Sequence, residues 1–130
     1  MSGVLLLSLA VLLASYLKAS AQADFPYEQE LFLDMKPLPG SKRVPMLEIL
    51  SDGRAMIDLW CKSGEGRVTI TGNAIKITMG PLREENCTPE RAKLDESLAP
   101  DLEAVTSWQV EDDVLVLTGS SALRYRLSTH

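Results

Sequence analysis

The chain is poor in the groups that most often carry chemistry. It holds one histidine, His130, at the last position. Ser-His-Asp or Cys-His catalysis would have to recruit a group at a fraying end. Two cysteines, Cys61 and Cys87, with that histidine supply too few ligands for a zinc site. The cysteines are far apart and form no Cys-x-x-Cys pair. Gly64-Glu65-Gly66 lacks the Lys-Ser/Thr ending of a phosphate loop and opens a strand rather than a helix. Bases are outnumbered, 13 Lys and Arg against 18 Asp and Glu. That balance argues against nucleic acid and anionic lipid surfaces as partners. Aromatics make up only 5% of the residues, so each one bears on the core or on recognition. No internal repeat, low-complexity tract or interdomain linker is present.

The longest apolar run covers residues 4–17, and Ala21-Gln22-Ala23 follows as a small-x-small step. The pattern is that of a signal peptide over residues 1–23, cut after Ala23. No Lys or Arg precedes the run, and Lys18 follows it. Either the true start lies upstream or the leader is atypical. A retained anchor is the rival reading. Fourteen helical residues reach about 21 Å, short of the roughly 30 Å hydrocarbon core. Cleavage leaves residues 24–130, one domain with 12 bases against 18 acids, net −6. The chain is then periplasmic or secreted, and it touches a membrane only through its leader.

The exported part alternates. A first strand is expected over residues 30–34, before a loop in which Pro37, Pro39 and Gly40 deny helix and ladder. Residues 46–79 read as an antiparallel meander of four strands. Turns fall at Ser51-Asp52-Gly53-Arg54, at Ser63-Gly64-Glu65-Gly66, which breaks the run, and at Thr71-Gly72-Asn73. Thr88-Pro89 starts a helix, with Thr88 as cap and Pro89 in the first position. Leu94, Leu98, Leu102 and Val105 form its apolar stripe. Pro100 lies inside it, so a kink or break is expected after Ala99. Three more strands begin near Trp108, Val114 and Leu123. Together these predict an α+β fold: a mainly antiparallel sheet or barrel of seven to eight strands with one kinked helix packed on it.

The candidate functional residues are few. Cys61 ends a strand and Cys87 lies just before the helix. The first reading of the pair is a structural disulfide, which for a loop of about 27 residues contributes roughly 3.5 kcal/mol. Two free thiols and a redox pair are the alternatives. Trp60 alternates off the face of Ala55, Ile57 and Leu59, so Trp60 with Lys62 and Arg67 is a candidate recognition patch. Trp108 reads as core. Arg124 and Arg126 read as the solvated side that blunts an edge strand. The acidic pairs, including Asp95-Glu96 and Asp112-Asp113, are expected in turns or on the solvent face of the helix. A hydrolase using two of them as acid and base needs a converging pair. Asn86-Cys87-Thr88 matches a glycosylation sequon, but a bridged Cys87 beside a helix start should restrict access.

From Met46 onward, over about 85 residues, the chain resembles the META domain, the fold of HslJ-type heat-shock proteins. The likeness rests on the Ser51–Arg54 turn, the segment Trp60-Cys61-Lys62-Ser63-Gly64-Glu65-Gly66, a hairpin, Cys87 before a helix, and Leu102-Glu103-Ala104-Val105-Thr106-Ser107-Trp108. Trp60 and Lys62 stand where the family usually has the Gly and Asn of a Gly-Cys-Asn step. The resemblance implies a small, mostly β domain, often exported or lipid-anchored, tied to heat or envelope stress and carrying no assigned enzymatic activity. The expectation is therefore a monomeric, non-enzymatic exported domain that needs no cofactor or metal. It would act by contact with an envelope protein or a small ligand. The alternative is a secreted, disulfide-tied β-barrel inhibitor or small-ligand-binding module.

Overall fold

The structure, a computed structural model, describes residues 24–128. The expected leader with its cleavage point, and His130, lie outside them. Eight antiparallel strands close a barrel in sequence order: β1 (Leu31–Leu33), β2 (Met46–Ile49), β3 (Arg54–Asp58), β4 (Lys62–Thr71), β5 (Ala74–Glu84), β6 (Ser107–Glu111), β7 (Val114–Thr118) and β8 (Ala122–Leu127). One helix, α1 (Pro89–Glu103), links β5 to β6. The expected fold class holds, with the sheet closed by pairing of β1 with β8.

Period-two alternation sets the inside. Leu47 pairs with Ile57 across β2 and β3, and Leu115 pairs with Tyr125 across β7 and β8, all four essentially fully buried. An eight-strand barrel is only wide enough for its own side chains to fill. The turns use the residues that permit them. Gly53 (φ 91°) and Gly72 (φ 59°) adopt the left-handed backbone that favours glycine. In the first of these turns Asp52 Oδ1 accepts the Arg54 amide at 3.0 Å, and Asp52 Oδ2 accepts from Arg54 Nε at 2.9 Å. Those bonds to Arg54, the backbone one foremost, hold the Asp52 carboxyl below its usual range.

Gly64-Glu65-Gly66 does not interrupt the sheet. β4 runs straight through it, and the irregularity sits opposite. Gly64 pairs with Leu82 and Gly66 with Met79, so β5 carries one extra residue there. A Cβ on Gly64 or Gly66 would lie 2.5 Å from the Pro81 or Thr78 carbonyl, so the glycines let the two strands close on the bulge. Pro81 is tolerated because the bulge asks no ladder donor of it.

The two ends are closed differently. At the end holding the 50–53 and 72–73 turns, Phe25 is buried edge-on against Trp108, ring centroids 5.1 Å apart. Trp108 Nε1 donates to the Gly72 carbonyl at 2.8 Å. At the opposite end α1 crosses the opening. Thr88 caps it by accepting the Arg91 amide, and Pro89 occupies the first turn. Of the kink or break expected after Ala99, the break does not occur: the helix runs on through Pro100. Pro100 and Glu96, whose carbonyl loses its donor, are both exposed, so water can serve that carbonyl. Leu98 and Leu102, buried on either side of it, hold both halves against the barrel. The helix also fills the weakest seam. β5 and β6 share only the Ala74–Ser107 pair, and beyond it Glu103 Oε2 accepts the Met79 amide at 3.3 Å.

Candidate functional site

The end of the barrel covered by α1 gathers most of the residues singled out from the sequence. The chain leaves β3 at Asp58 and turns through Leu59, Trp60 and Cys61 into β4. Leu59 donates its amide to the Lys62 carbonyl at 2.8 Å, which tightens the turn. Three consecutive amides then point toward α1. Asp95 receives all of them: Trp60 N at 2.7 Å on Oδ1, Cys61 N at 2.9 Å and Lys62 N at 2.7 Å on Oδ2. Asp95 is only 4% exposed. Buried carboxylates are tolerated when hydrogen-bonded throughout, and this one answers three backbone donors that otherwise have no ladder partner.

Asp95 is therefore not on the solvent face of the helix, where the acidic pairs were expected. Its neighbour Glu96 is. Asp95 follows Leu94 and precedes Leu98 by three positions, so it lies on the edge of the apolar stripe. That spacing was the available signal. Composition favoured solvation because adjacent acids usually face water.

Cys61 and Cys87 form a disulfide, with Cα atoms 5.4 Å apart. The bridge and Asp95 thus fasten the same turn to the start and the second turn of α1. Cys61 is buried, and Cys87 is half-buried within a connector whose residues 84–86 are exposed. Asn86 is among them, so the bridge does not restrict its access as the sequence suggested.

The patch of Trp60, Lys62 and Arg67 does not assemble. Trp60 is 7% exposed and packs into the core cluster. It sits in the turn rather than in the alternating strand, so strand parity does not govern where it points. Lys62 is half-buried beside it. Arg67 lies five residues further along β4, about 17 Å away at strand rise, where it pairs with Arg54 and Thr78. Arg124 and Arg126 are exposed, but β8 is not an edge strand, because β1 and β7 flank it. Arg126 instead pairs with Asp34 at 3.2 Å, and Arg124 with Glu111 at 3.8 Å.

Two depressions flank Trp60. A groove of about 290 Å3 runs between α1 and the ends of β1 and β8. Its floor is apolar, with Leu33, Leu94, Leu98 and Leu123, and its rim carries Met35, 54% exposed, and Ser97. A polar cleft of about 520 Å3 lies on the other side, bounded by Arg43, Glu84, Glu85 and Arg91, and it reaches both cysteines. Among the described residues no cluster of three His, Cys, Asp or Glu is arranged to hold a metal ion.

A family model described as the META domain matches residues 17–129. Two solved structures, both determined by NMR, share the fold. One, from Burkholderia xenovorans, is 14% identical with TM-score 0.60, over 86% of this chain and 97% of its own. The other is 17% identical with TM-score 0.58, over 77% and 89%. No curated protein matches the chain.

Proposed function

The chain belongs to the META domain family, and from that membership we propose that it is an exported, non-catalytic contact domain of the cell envelope. It meets an envelope protein or a small ligand at the apolar groove beside Trp60 and takes part in an envelope-stress response. The observation that carries the contact is the groove itself. It offers a leucine floor and, at the rim, the most exposed large hydrophobic side chain among the described residues, Met35. Export is supported by the apolar leader and by a disulfide, which persists in oxidising compartments.

The second reading is a secreted inhibitor or ligand-binding barrel. The closed eight-strand sheet favours it. Because side chains such as Leu47, Ile57 and Tyr125 fill the lumen, binding would again fall to the outer groove.

The test uses the mature protein as bait in envelope extract, beside Met35→Asp and Ser97→Arg. Both residues are exposed on the groove rim, so neither change disturbs the core. A partner or ligand retained by the parent and lost by both variants, at equal melting temperature, supports the reading. Equal retention by all three removes the groove from it. An intact Met1 in the soluble cytosolic fraction removes export, and normal envelope-stress survival of a strain lacking the chain removes the stress role.

A further inference from the structure

We propose that the Cys61–Cys87 bridge is a redox-operated latch: its reduction releases residues 85–88 and uncovers Trp60 while the barrel and α1 stay folded. The inference concerns the bridge alone and holds whatever the groove meets.

The two cysteines are held in unequal ways. Cys61 sits in a turn fixed without the bridge, because Asp95 takes the amides of Trp60, Cys61 and Lys62 from one carboxylate. Cys87 has no such support. Among the described residues, no backbone hydrogen bond joins residues 85–87 to the barrel. The one ion pair there, Arg43–Glu85 at 3.8 Å, joins two side chains about half exposed and has little weight. The disulfide is thus the main tie on the connector but a redundant tie on the turn. A bridge that staples a fold would be the main tie on both sides.

Access follows the same asymmetry. The cleft of about 520 Å3 opens onto the bridge, and its walls carry two arginines and two glutamates, so a thiolate meets no net like charge there. Trp60 forms a wall of this cleft and of the apolar groove. Freeing the connector therefore removes cover from the indole that separates the two.

The reductant is a dithiol, either a small molecule or a dithiol oxidoreductase. One of its thiolates attacks Sγ of Cys87, the more exposed of the two cysteines. The S–S bond breaks, a mixed disulfide forms, and Cys61 leaves as a thiolate. The second thiolate attacks the reductant's own sulfur in the mixed disulfide, and Cys87 leaves. The reductant ends as a disulfide, two electrons pass to the cysteines, and the two thiol protons of the reductant balance the two new thiols.

The experiment treats the oxidised protein with dithiothreitol and counts thiols by alkylation. Backbone order parameters from nitrogen-15 relaxation, amide exchange and tryptophan emission are followed, with Trp60→Phe to assign the emission. On reduction, the backbone order parameters of residues 85–88 should fall from those of a rigid backbone to below about 0.6, and the amides of residues 60–62 should stay protected. Emission should shift to the red in the parent and not in Trp60→Phe. The Cys61→Ser/Cys87→Ser double variant should reproduce the reduced state. In Asp95→Ala the bridge takes over the bonding of the turn to the α1 side, so reduction should lower the melting temperature more in that variant than in the parent. Loss of protection at residues 60–62 in the reduced parent would overturn the proposal, since the bridge would then be a staple. So would unchanged order parameters at residues 85–88, or a bridge that dithiothreitol cannot open in the native protein.

Discussion

Asp95 is the residue on which the α1 end of the barrel depends. Its carboxylate is buried and accepts three short amide bonds from one turn. Removing it leaves three donors without their partner, two of them on buried residues, and a buried donor left unpaired costs about 1–3 kcal/mol. Asp95→Ala should therefore destabilise the oxidised protein by roughly 3–5 kcal/mol in urea unfolding. Asp95→Asn keeps one acceptor oxygen and should lose less. A loss within about 0.5 kcal/mol for Asp95→Ala, the range of ordinary surface changes, would mean the turn holds itself. The candidate site was only partly legible in the sequence. Cys61 and Cys87 stood out because cysteine is scarce and the leader suggests an oxidising compartment. Asp95 did not, because a carboxylate beside a second one reads as solvated. Its partners are backbone amides 33–35 residues away, which leave no mark on composition or period. Trp60 failed for a related reason: its direction is set by a turn that Asp95 shapes, and alternation counts only within strands.

At the scale of elements, α1 shows how packing overrides local preference. A proline in a helix interior costs about 3 kcal/mol relative to alanine. Pro100 nevertheless lies inside an uninterrupted helix, between the buried Leu98 and Leu102. Pro100→Ala should restore an amide to the Glu96 carbonyl, while giving back up to about 1 kcal/mol of unfolded-state freedom. The net expectation is a gain of about 1–2 kcal/mol, read as a melting temperature higher by roughly 5–10 °C. An unchanged or lower midpoint would show that the ring itself packs where an alanine does not. Most strands, β1 included, were legible because their residues alternate and most of their turns carry glycine or acidic residues, whereas the β3–β4 turn, Leu59-Trp60-Cys61, carries neither. The break expected at Gly64-Glu65-Gly66 was misplaced because glycine marks both a turn and a close approach of strands. Only the partner strand tells them apart: here β5 brings the Pro81 and Thr78 carbonyls to within 2.5 Å of where a Cβ would stand.

For the molecule as a whole, closure makes the interior a single unit, and its most sensitive group is Tyr125. This side chain is 1% exposed on β8, opposite Leu115, and burial pushes its hydroxyl well above the ordinary value of 10.0. The shift penalises phenolate in the folded state only. Below pH 10 the phenol is neutral in both states and ionisation contributes no difference. Above it the unfolded chain releases the proton and the folded barrel cannot, so unfolding gains free energy. Stability should fall by about 1.4 kcal/mol per pH unit as pH rises past roughly 10, until the folded phenol can also ionise. Urea unfolding between about pH 9 and pH 11 measures the slope. Tyr125→Phe should abolish it, at the expense only of the hydroxyl. In residues 24–130 carrying Tyr27→Phe, which leaves Tyr125 as the one tyrosine, its phenolate absorbance should appear together with loss of the fold rather than before it. Ionisation ahead of unfolding would mean that water reaches the interior through a seam, and the β5–β6 gap behind α1, with its single residue pair, is the place to look.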